Sequence, residues 1–342
     1  MNTQILIQKI LDHKDLHKSE AENLMTSLMD GSLSPNKISS ILTALRMKTE
    51  TTEEITGFIS VMRKNMQQIT APPHTIDTCG TGGDQSGTFN ISTAVALLTS
   101  ASGVPVAKHG NRAASSKSGS ADLLEALGIN IFLKPIDAET LLKNTNFVFL
   151  FAPLYHPSMK HVAPIRKELG FKTIFNVLGP FANPASVKRQ IVGVPNKKIA
   201  QQMAEVAMTL DYEHLYIVTS HDGLDEISIS AETDIFEVKK NKVSHFTIVP
   251  EKFGIQRASI ETLKGNNAIE NASIIHSIFS GKKSPKRDIV IMNTGFALFV
   301  SGIVQSVQEG MHIAEKMIDN GVAEKKLQEI IKQSQTYEKY IG

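Results

Sequence analysis

One cysteine, Cys79, is all that this 342-residue sequence holds. No disulfide can form within the chain, and a lone thiol fits a reducing compartment. Charge of one sign is also missing, since 36 Lys and Arg against 34 Asp and Glu leave a net charge of +2. Nucleic acid finds no basic field to bind, so any anion site has to be local. Long apolar runs are absent too: Gly, Pro, Lys or His interrupts every candidate short of the roughly 20 residues a membrane span needs. Residues 1–11 are mixed and amphipathic, unlike the charged stretch, apolar core and cleavage site of a signal peptide. These absences predict a soluble, cytoplasmic chain with neither nucleic-acid nor membrane partners. Internal repeats and low-complexity tracts are missing as well.

What is present is ordinary globular material, 41% apolar and 20% charged, in a chain longer than one hydrophobic core usually serves. Two domains are the expectation. Residues 1–66 read as a helical domain, because apolar residues recur at three and four spacing between helix start and stop signals. Ile5, Ile7, Ile10 and Leu11 make the first stripe. Ser19 with Glu20 and Glu22 starts a second helix that Gly31 ends, and Ser34-Pro35 opens a third carrying Ile38, Ile41, Leu42 and Leu45. A fourth covers 52–66.

After Ala71-Pro72-Pro73, short β-branched runs alternate with amphipathic stretches of helical length, which predicts βαβ units on a mostly parallel sheet. Residues 73–342 are thus expected to form an α/β domain. Its strands are expected at 75–78, 104–107, 129–133, 147–151, 191–194 and 215–219. Helices such as 93–102 and 121–127 lie between them, closed by Gly103 and Gly128. A hairpin of 235–238 with 243–249 follows, and helices return after residue 267.

The turn Gly80-Thr81-Gly82-Gly83-Asp84 lies between an expected strand and the helix start Asn90-Ile91-Ser92-Thr93. Glycines let successive backbone N–H groups wrap an anion, and the helix N-terminus adds its dipole. Thr88, Asn90, Ser92 and Thr93 add side-chain donors at the same spot. Read alone, the turn also suits a tight loop that needs glycine only for its backbone angles. Gln85 stands where both G-x-x-x-x-G-K-[ST] and G-x-G-x-x-G require glycine, which argues against a nucleoside triphosphatase and a Rossmann dehydrogenase.

A second strand-to-helix loop, from Lys108 to Asp122, brings cations and hydroxyls to the same carboxyl edge of the sheet, where open α/β sheets bind ligands. A solvated basic loop with Ser118 as helix cap is the plain alternative. A third loop, 220–226, sets Asp225 beside Glu226, and adjacent carboxylates next to a phosphate cradle suit Mg2+. Taken singly, that pair is a solvated acidic turn; its weight comes from its company. Further on, a helical stretch puts Met159, Val162, Ile165 and Arg166 close to one face, and an arginine there offers a bidentate fork to a carboxylate. His156 and His161 suit structural and functional roles equally. Cys79 reads as a small packed residue, lacking the partnered base of a nucleophile.

The Gly-Thr-Gly-Gly-Asp turn, the Asn-Ile-Ser-Thr helix start, Lys108 to Arg112 with Ser115-Ser116, Leu178-Gly179-Pro180 before Asn183-Pro184, and Asp222-Gly223-Leu224-Asp225-Glu226 resemble, in this order, the anthranilate phosphoribosyltransferases. The likeness runs on through Pro250-Glu251-Lys252-Phe253-Gly254 to Asn271-Ala272, and so spans nearly the whole chain. It implies a small N-terminal helical domain, with helices from about 157–170 packed on it, and a larger α/β domain of the nucleoside phosphorylase/phosphoribosyltransferase type. A homodimer through the helical domains is implied as well. The implied reaction is Mg2+-dependent transfer of the 5-phosphoribosyl group from phosphoribosyl pyrophosphate to the amine of anthranilate, a step of tryptophan biosynthesis.

By the same resemblance, phosphoribosyl pyrophosphate falls to Gly80, Gly83, Asp84, Thr88, Asn90, Ile91, Ser92 and Thr93 in the first loop. In the second it falls to Lys108, His109, Gly110, Asn111, Arg112, Ala113, Ala114, Ser115, Ser116 and Ser120. Anthranilate falls to Gly80, Asn111 and Arg166, and two Mg2+ ions to Ser92, Asp225 and Glu226. No general base is assigned. Two other readings share the scaffold: a pyrimidine nucleoside phosphorylase, and a noncatalytic homologue that binds nucleic acid. The Asp77-Thr78-Cys79-Gly80-Thr81-Gly82-Gly83 letters and the Asp225-Glu226 pair favour the transferase over the first, and the net charge of +2 with that pair retained disfavours the second.

Overall fold

The computed structural model describes residues 3–82, 86–113 and 117–340. Of the residues expected at the phosphate site, Gly83, Asp84, Ala114, Ser115 and Ser116 lie outside the described residues. The chain divides into two compact units, one built from residues up to Gln67 together with Pro153–Pro184, the other from Gln68–Ala152 and Ala185 onward.

In the first unit, helices α1 (Thr3–Leu11), α2 (Lys18–Met29), α3 (Pro35–Lys48) and α4 (Thr52–Asn65) follow one another. Pro35 sits at the first helical position behind Ser34, where its missing N–H is no loss. Thr51 starts α4 through a reciprocal box: its hydroxyl accepts the Glu54 N–H at 3.3 Å and its own N–H donates to the Glu54 carboxylate at 2.8 Å. Ile38, Ile41, Leu42 and Leu45 are all buried, as their spacing predicts. The stripe expected on α1 is corrected: Leu6 and Ile10 are buried, whereas Ile5 and Leu11 are 55% and 56% exposed. A nine-residue helix apolar on several sides carries no internal choice of face, and packing against α2 and α3 makes that choice.

The inserted stretch of the first unit opens in the short helix Ala152–Tyr155, followed by a 3-10 turn, Pro157–His161, and helices Ala163–Leu169 and Phe175–Phe181. The single helical face expected for 159–166 is therefore broken at Val162, though Val162 and Ile165 are both buried.

The second unit holds a seven-stranded sheet: β1 (Ile76–Gly80), β2 (Val106–Gly110), β3 (Phe147–Phe151), β4 (Arg189–Gly193), β5 (His214–Ser220), β6 (Thr233–Lys239) and β7 (Lys242–Ile248). The order is β3-β2-β1-β4-β5-β6-β7. The first five strands run parallel, and β6 and β7 form the antiparallel hairpin. β3 and β5 are buried along their whole length, as parallel strands covered on both faces are. The chain winds from β1 out to β3 and then returns to lay β4 on the other side of β1. That reversal opens a crevice at the carboxyl ends of β1 and β4, the place where open α/β sheets bind ligands.

The strand expected at 129–133 does not form. Its backbone is satisfied by the C-terminal segment: Asn130 N–H donates to Ser334 Oγ at 3.0 Å, and Phe132 C=O accepts the Tyr340 N–H at 2.8 Å. β-Branched, apolar composition marks a buried extended segment, and a ladder needs in addition a free neighbouring strand. Among the described residues no helix is long and apolar enough to cross a membrane.

Candidate active site at the carboxyl edge of the sheet

β1 and β4 end on Gly80 and Gly193, which are register partners. A Cβ on Gly80 would stand 2.8 Å from Asp225 Oδ2, and one on Gly193 only 1.6 Å from the Asp225 carbonyl oxygen. Two glycines thus cut a notch at the crevice, and Asp225 fills it. Gly193 escapes a reading for motifs, because one glycine at a strand end has no signature until its neighbour across the sheet is known.

The loop that delivers Asp225 is held at both ends. Ser220 Oγ donates to the Glu226 carbonyl at 2.7 Å, and Asn293 exchanges bonds with the Ile227 backbone at 3.1 and 2.8 Å. The Glu226 carboxylate accepts the Ser92 N–H at 3.0 Å, in the first turn of helix α5 (Ile91–Ala101). A carboxylate is favoured there by the exposed amides and the helix dipole. Ser92, Asp225 and Glu226, distant in sequence, therefore share one corner.

Lys108 comes from β2 and is 2% exposed. Its ammonium donates to the Thr78 carbonyl and, at 3.2 Å, to Ser92 Oγ. Burial lowers its pKa, and Asp77, Cys79, Glu226 and Asp225 act against that shift. Beneath it, the buried Asp77 accepts the His109 N–H at 3.3 Å and a Gln190 N–H at 3.2 Å, and Tyr212 Oη donates to Gln190 Oε1 at 2.8 Å. Burial pushes the Cys79 thiol well up, which keeps it protonated and poorly nucleophilic.

The described residues between Lys108 and Asp122 are tightly supported. Asn111 C=O accepts the Ala121 N–H, and the Ala113 and Gly119 amides both donate to Asp122, at 3.0 and 2.9 Å. Arg112 pairs with Asp122 and Glu125 at 2.9 and 2.5 Å. A Cβ on Gly110 would meet Ser120 Oγ at 2.4 Å, so glycine there lets helix α6 (Ser120–Ala126) start close beside β2. Ile91 is a core residue at 2% exposure, so whatever it offers a ligand comes from its backbone. Thr93, fully buried, and Thr81 carry hydroxyls without a hydrogen-bond partner among the described residues.

Arg166 belongs to the first unit. Burial lowers its pKa, its guanidinium lies 5.2 Å from the Phe175 ring centroid, and Nη2 reaches Asn176 Oδ1 at 3.5 Å. Among the described residues no carboxylate pairs with it. A half-buried guanidinium with its fork unanswered suits an incoming carboxylate.

His156 is buried and bonds through Nε2 to the Ala182 carbonyl at 3.0 Å. Burial holds its pKa down to about 4, from 6.5. A histidine kept neutral in the fold binds fewer protons than the unfolded chain, so its contribution is complete above pH 6.5 and is lost as pH falls toward 4. The loss is expected to reach about 3 kcal/mol. Denaturant titrations at pH 7 and 4.5 check this, with His156→Gln losing that part of the slope.

Oxygen donors dominate the corner around Asp225. Among the described residues no three His, Cys, Asp or Glu side chains are grouped to hold a metal by themselves. Two carboxylates and a hydroxyl make an incomplete shell of hard ligands, the kind Mg2+ completes with phosphate oxygens and water. The residues fit that ion.

Two family models cover the chain: the helical bundle domain of the glycosyl transferase family over residues 4–66, and its a/b domain over 72–324. The anthranilate phosphoribosyltransferase of Acetivibrio thermocellus is 47% identical, covering 98% of this chain and 97% of that protein. That of a Thermoanaerobacter species is 49% identical over 96% and 97%. Among solved structures, the Thermus thermophilus enzyme matches with a TM-score of 0.90 at 36% identity, over 98% of this chain and 100% of the other. The Saccharomyces cerevisiae enzyme in complex with PRPP and Mg matches with a TM-score of 0.90 at 31% identity, over 98% of both. Crevice, loops and carboxylate corner thus stand on a scaffold shared along nearly its whole length, and the chain belongs to the anthranilate phosphoribosyltransferases of the glycosyl transferase family.

Proposed function

We propose that the chain transfers the 5-phosphoribosyl group from phosphoribosyl pyrophosphate to the amine of anthranilate, releasing pyrophosphate, in tryptophan biosynthesis. The observation that carries this reading is the seating of Asp225 in the Gly80–Gly193 notch, with Glu226, Ser92 and Lys108 at the same corner. A cation and a cation-binding carboxylate pair beside a helix N-terminus suit a diphosphate that leaves as an anion.

Ser92, Asp225 and Glu226 would hold Mg2+, as two ions, and the metal would neutralise the charge growing on the departing pyrophosphate. Lys108 serves the same end from beneath, its ammonium fixed before substrate arrives. The α/β part from residue 73 binds the sugar pyrophosphate along the glycine-rich turn and the loop that starts at Lys108. Arg166 takes the anthranilate carboxylate, which orients the amine; Gly80 and Asn111 are assigned to the same substrate. An aromatic amine is only weakly basic and attacks without prior deprotonation, so catalysis here is mainly positioning and charge stabilisation.

We also place the protein in the cytoplasm as a homodimer. The single thiol supports the first. Ile5, Leu11 and Met47, exposed at 55%, 56% and 72% on the helical unit, support the second as apolar surface suited to a second copy.

The test is direct: anthranilate fluorescence should fade when the protein, Mg2+ and phosphoribosyl pyrophosphate are mixed, and should persist if any one is left out. Persistent fluorescence together with phosphorolysis of thymidine or uridine, or DNA binding without turnover, would establish one of the other readings.

A further inference from the structure

Asn271 lies in the helix Ala268–Phe279 and is 2% exposed, yet it has no part in the site as described so far. Its Nδ2 donates to Asn90 Oδ1 at 2.9 Å, and its own Oδ1 accepts the Asn266 N–H at 3.0 Å. Asn90 in turn donates to the Ser118 carbonyl at 3.0 Å and accepts from Ser118 Oγ at 3.3 Å. The Asn90 side chain, assigned by resemblance to the substrate, is thus occupied in joining the first phosphate loop to the second. Asn271 holds it in place.

The segment before Asn271 follows the same two loops. The Phe89 N–H donates to the Leu263 carbonyl and the Gly265 N–H to the Gly87 carbonyl, both at 3.0 Å, around an antiparallel bridge of Thr88 with Lys264. A Cβ on Gly265 would stand 2.4 Å from Asn271 Oδ1 and 2.6 Å from Phe89 Cα, so this approach is closed to any other residue. On the far side, Lys117 Nζ reaches Asn266 Oδ1 at 2.8 Å. Residues 263–271 therefore span the gap between the loops by backbone bonds at one end and an amide relay at the other.

We propose that Asn271 is a positioning residue for diphosphate binding: acting through Asn90, it sets the spacing between the glycine-rich loop and the Lys108–Ser120 loop without touching substrate. This rests on reading those loops as the diphosphate cradle. Buried polar relays hold a geometry firmly when every member is satisfied, and the loss of one member frees both loops to drift. A displacement of about 1 Å in a cradle of amides is enough to weaken it severely.

Calorimetric binding of inorganic pyrophosphate with Mg2+ tests it. Asn271→Ala should bind pyrophosphate at least tenfold more weakly than the parent, with a Tm only a few degrees lower. If that variant fails to fold, Asn271→Ser, which keeps a hydroxyl near the Asn266 amide but falls short of Asn90, should show the same loss. Asn90→Ala combined with Asn271→Ala should bind no more weakly than the weaker single variant, because the two act as one relay. Parent-like affinity in the Asn271 variants, or additive losses in the double variant, overturns the relay alone. Pyrophosphate failing to bind the parent removes the cradle reading and the relay with it.

Discussion

Asp225→Asn should fold normally and turn over about 100-fold more slowly, a loss of roughly 3 kcal/mol of transition-state stabilisation. Asparagine has the shape of aspartate, so it still fills the notch between Gly80 and Gly193, and the carbonyl that packs against Gly193 is backbone and unchanged. What disappears is one negative charge at the place where a divalent cation would sit. Glu226→Gln should behave alike, since its remaining carbonyl oxygen can still accept the Ser92 N–H. Both variants should need more Mg2+ to reach half-maximal rate, and their melting temperatures should stay within a few degrees of the parent. Rates unchanged at limiting Mg2+ would remove Asp225 and Glu226 from any metal role.

Arg166→Ala should raise the anthranilate KM by about 10- to 100-fold, the ~1.5–3 kcal/mol typical of hydrogen bonds to a charged group. The phosphoribosyl pyrophosphate KM should change little, because only one substrate brings a carboxylate to be clamped. The folded protein itself has little reason to keep a guanidinium there. Burial lowers its pKa, and its described contacts are the Phe175 ring and a long bond to Asn176. Removing it relieves a desolvated charge while giving up some packing, so stability should stay near the parent's. Equal rises in both KM values would reject the clamp, and a large fall in melting temperature would make Arg166 a structural residue.

Much of this site can be read along the chain because its parts are local. A glycine-rich turn after a strand, a helix start rich in hydroxyls and amides, and two carboxylates side by side each announce a conformation or a chemistry within ten residues. The same holds for α3, whose apolar spacing named Ile38, Ile41, Leu42 and Leu45 and whose burial agrees. Local spacing fails where several outcomes share one pattern. In α1, apolar residues on several sides left the inward face open, and tertiary packing chose Leu6 and Ile10 over Ile5 and Leu11. At 129–133, apolar and β-branched letters suited a strand, but Ser334, Tyr337 and Tyr340 satisfy the backbone and side-chain amide instead.

Composition, spacing and motifs are enough to read the class of this protein and its two kinds of architecture, and they single out the candidates for its site: a glycine-rich turn, a cationic loop, a carboxylate pair and an arginine. Tertiary structure decided how the parts meet. Placing β4 beside β1, against chain order, brings Gly193 level with Gly80 and opens the notch that Asp225 enters. It also joins the Asn90 side chain to Ser118 and Asn271, partners that its own stretch of sequence does not announce. Backbone propensity and side-chain spacing act over a turn or a strand, whereas strand order and close packing are settled by contacts between residues far apart in the chain, Gly80 with Gly193 and Asp225 among them.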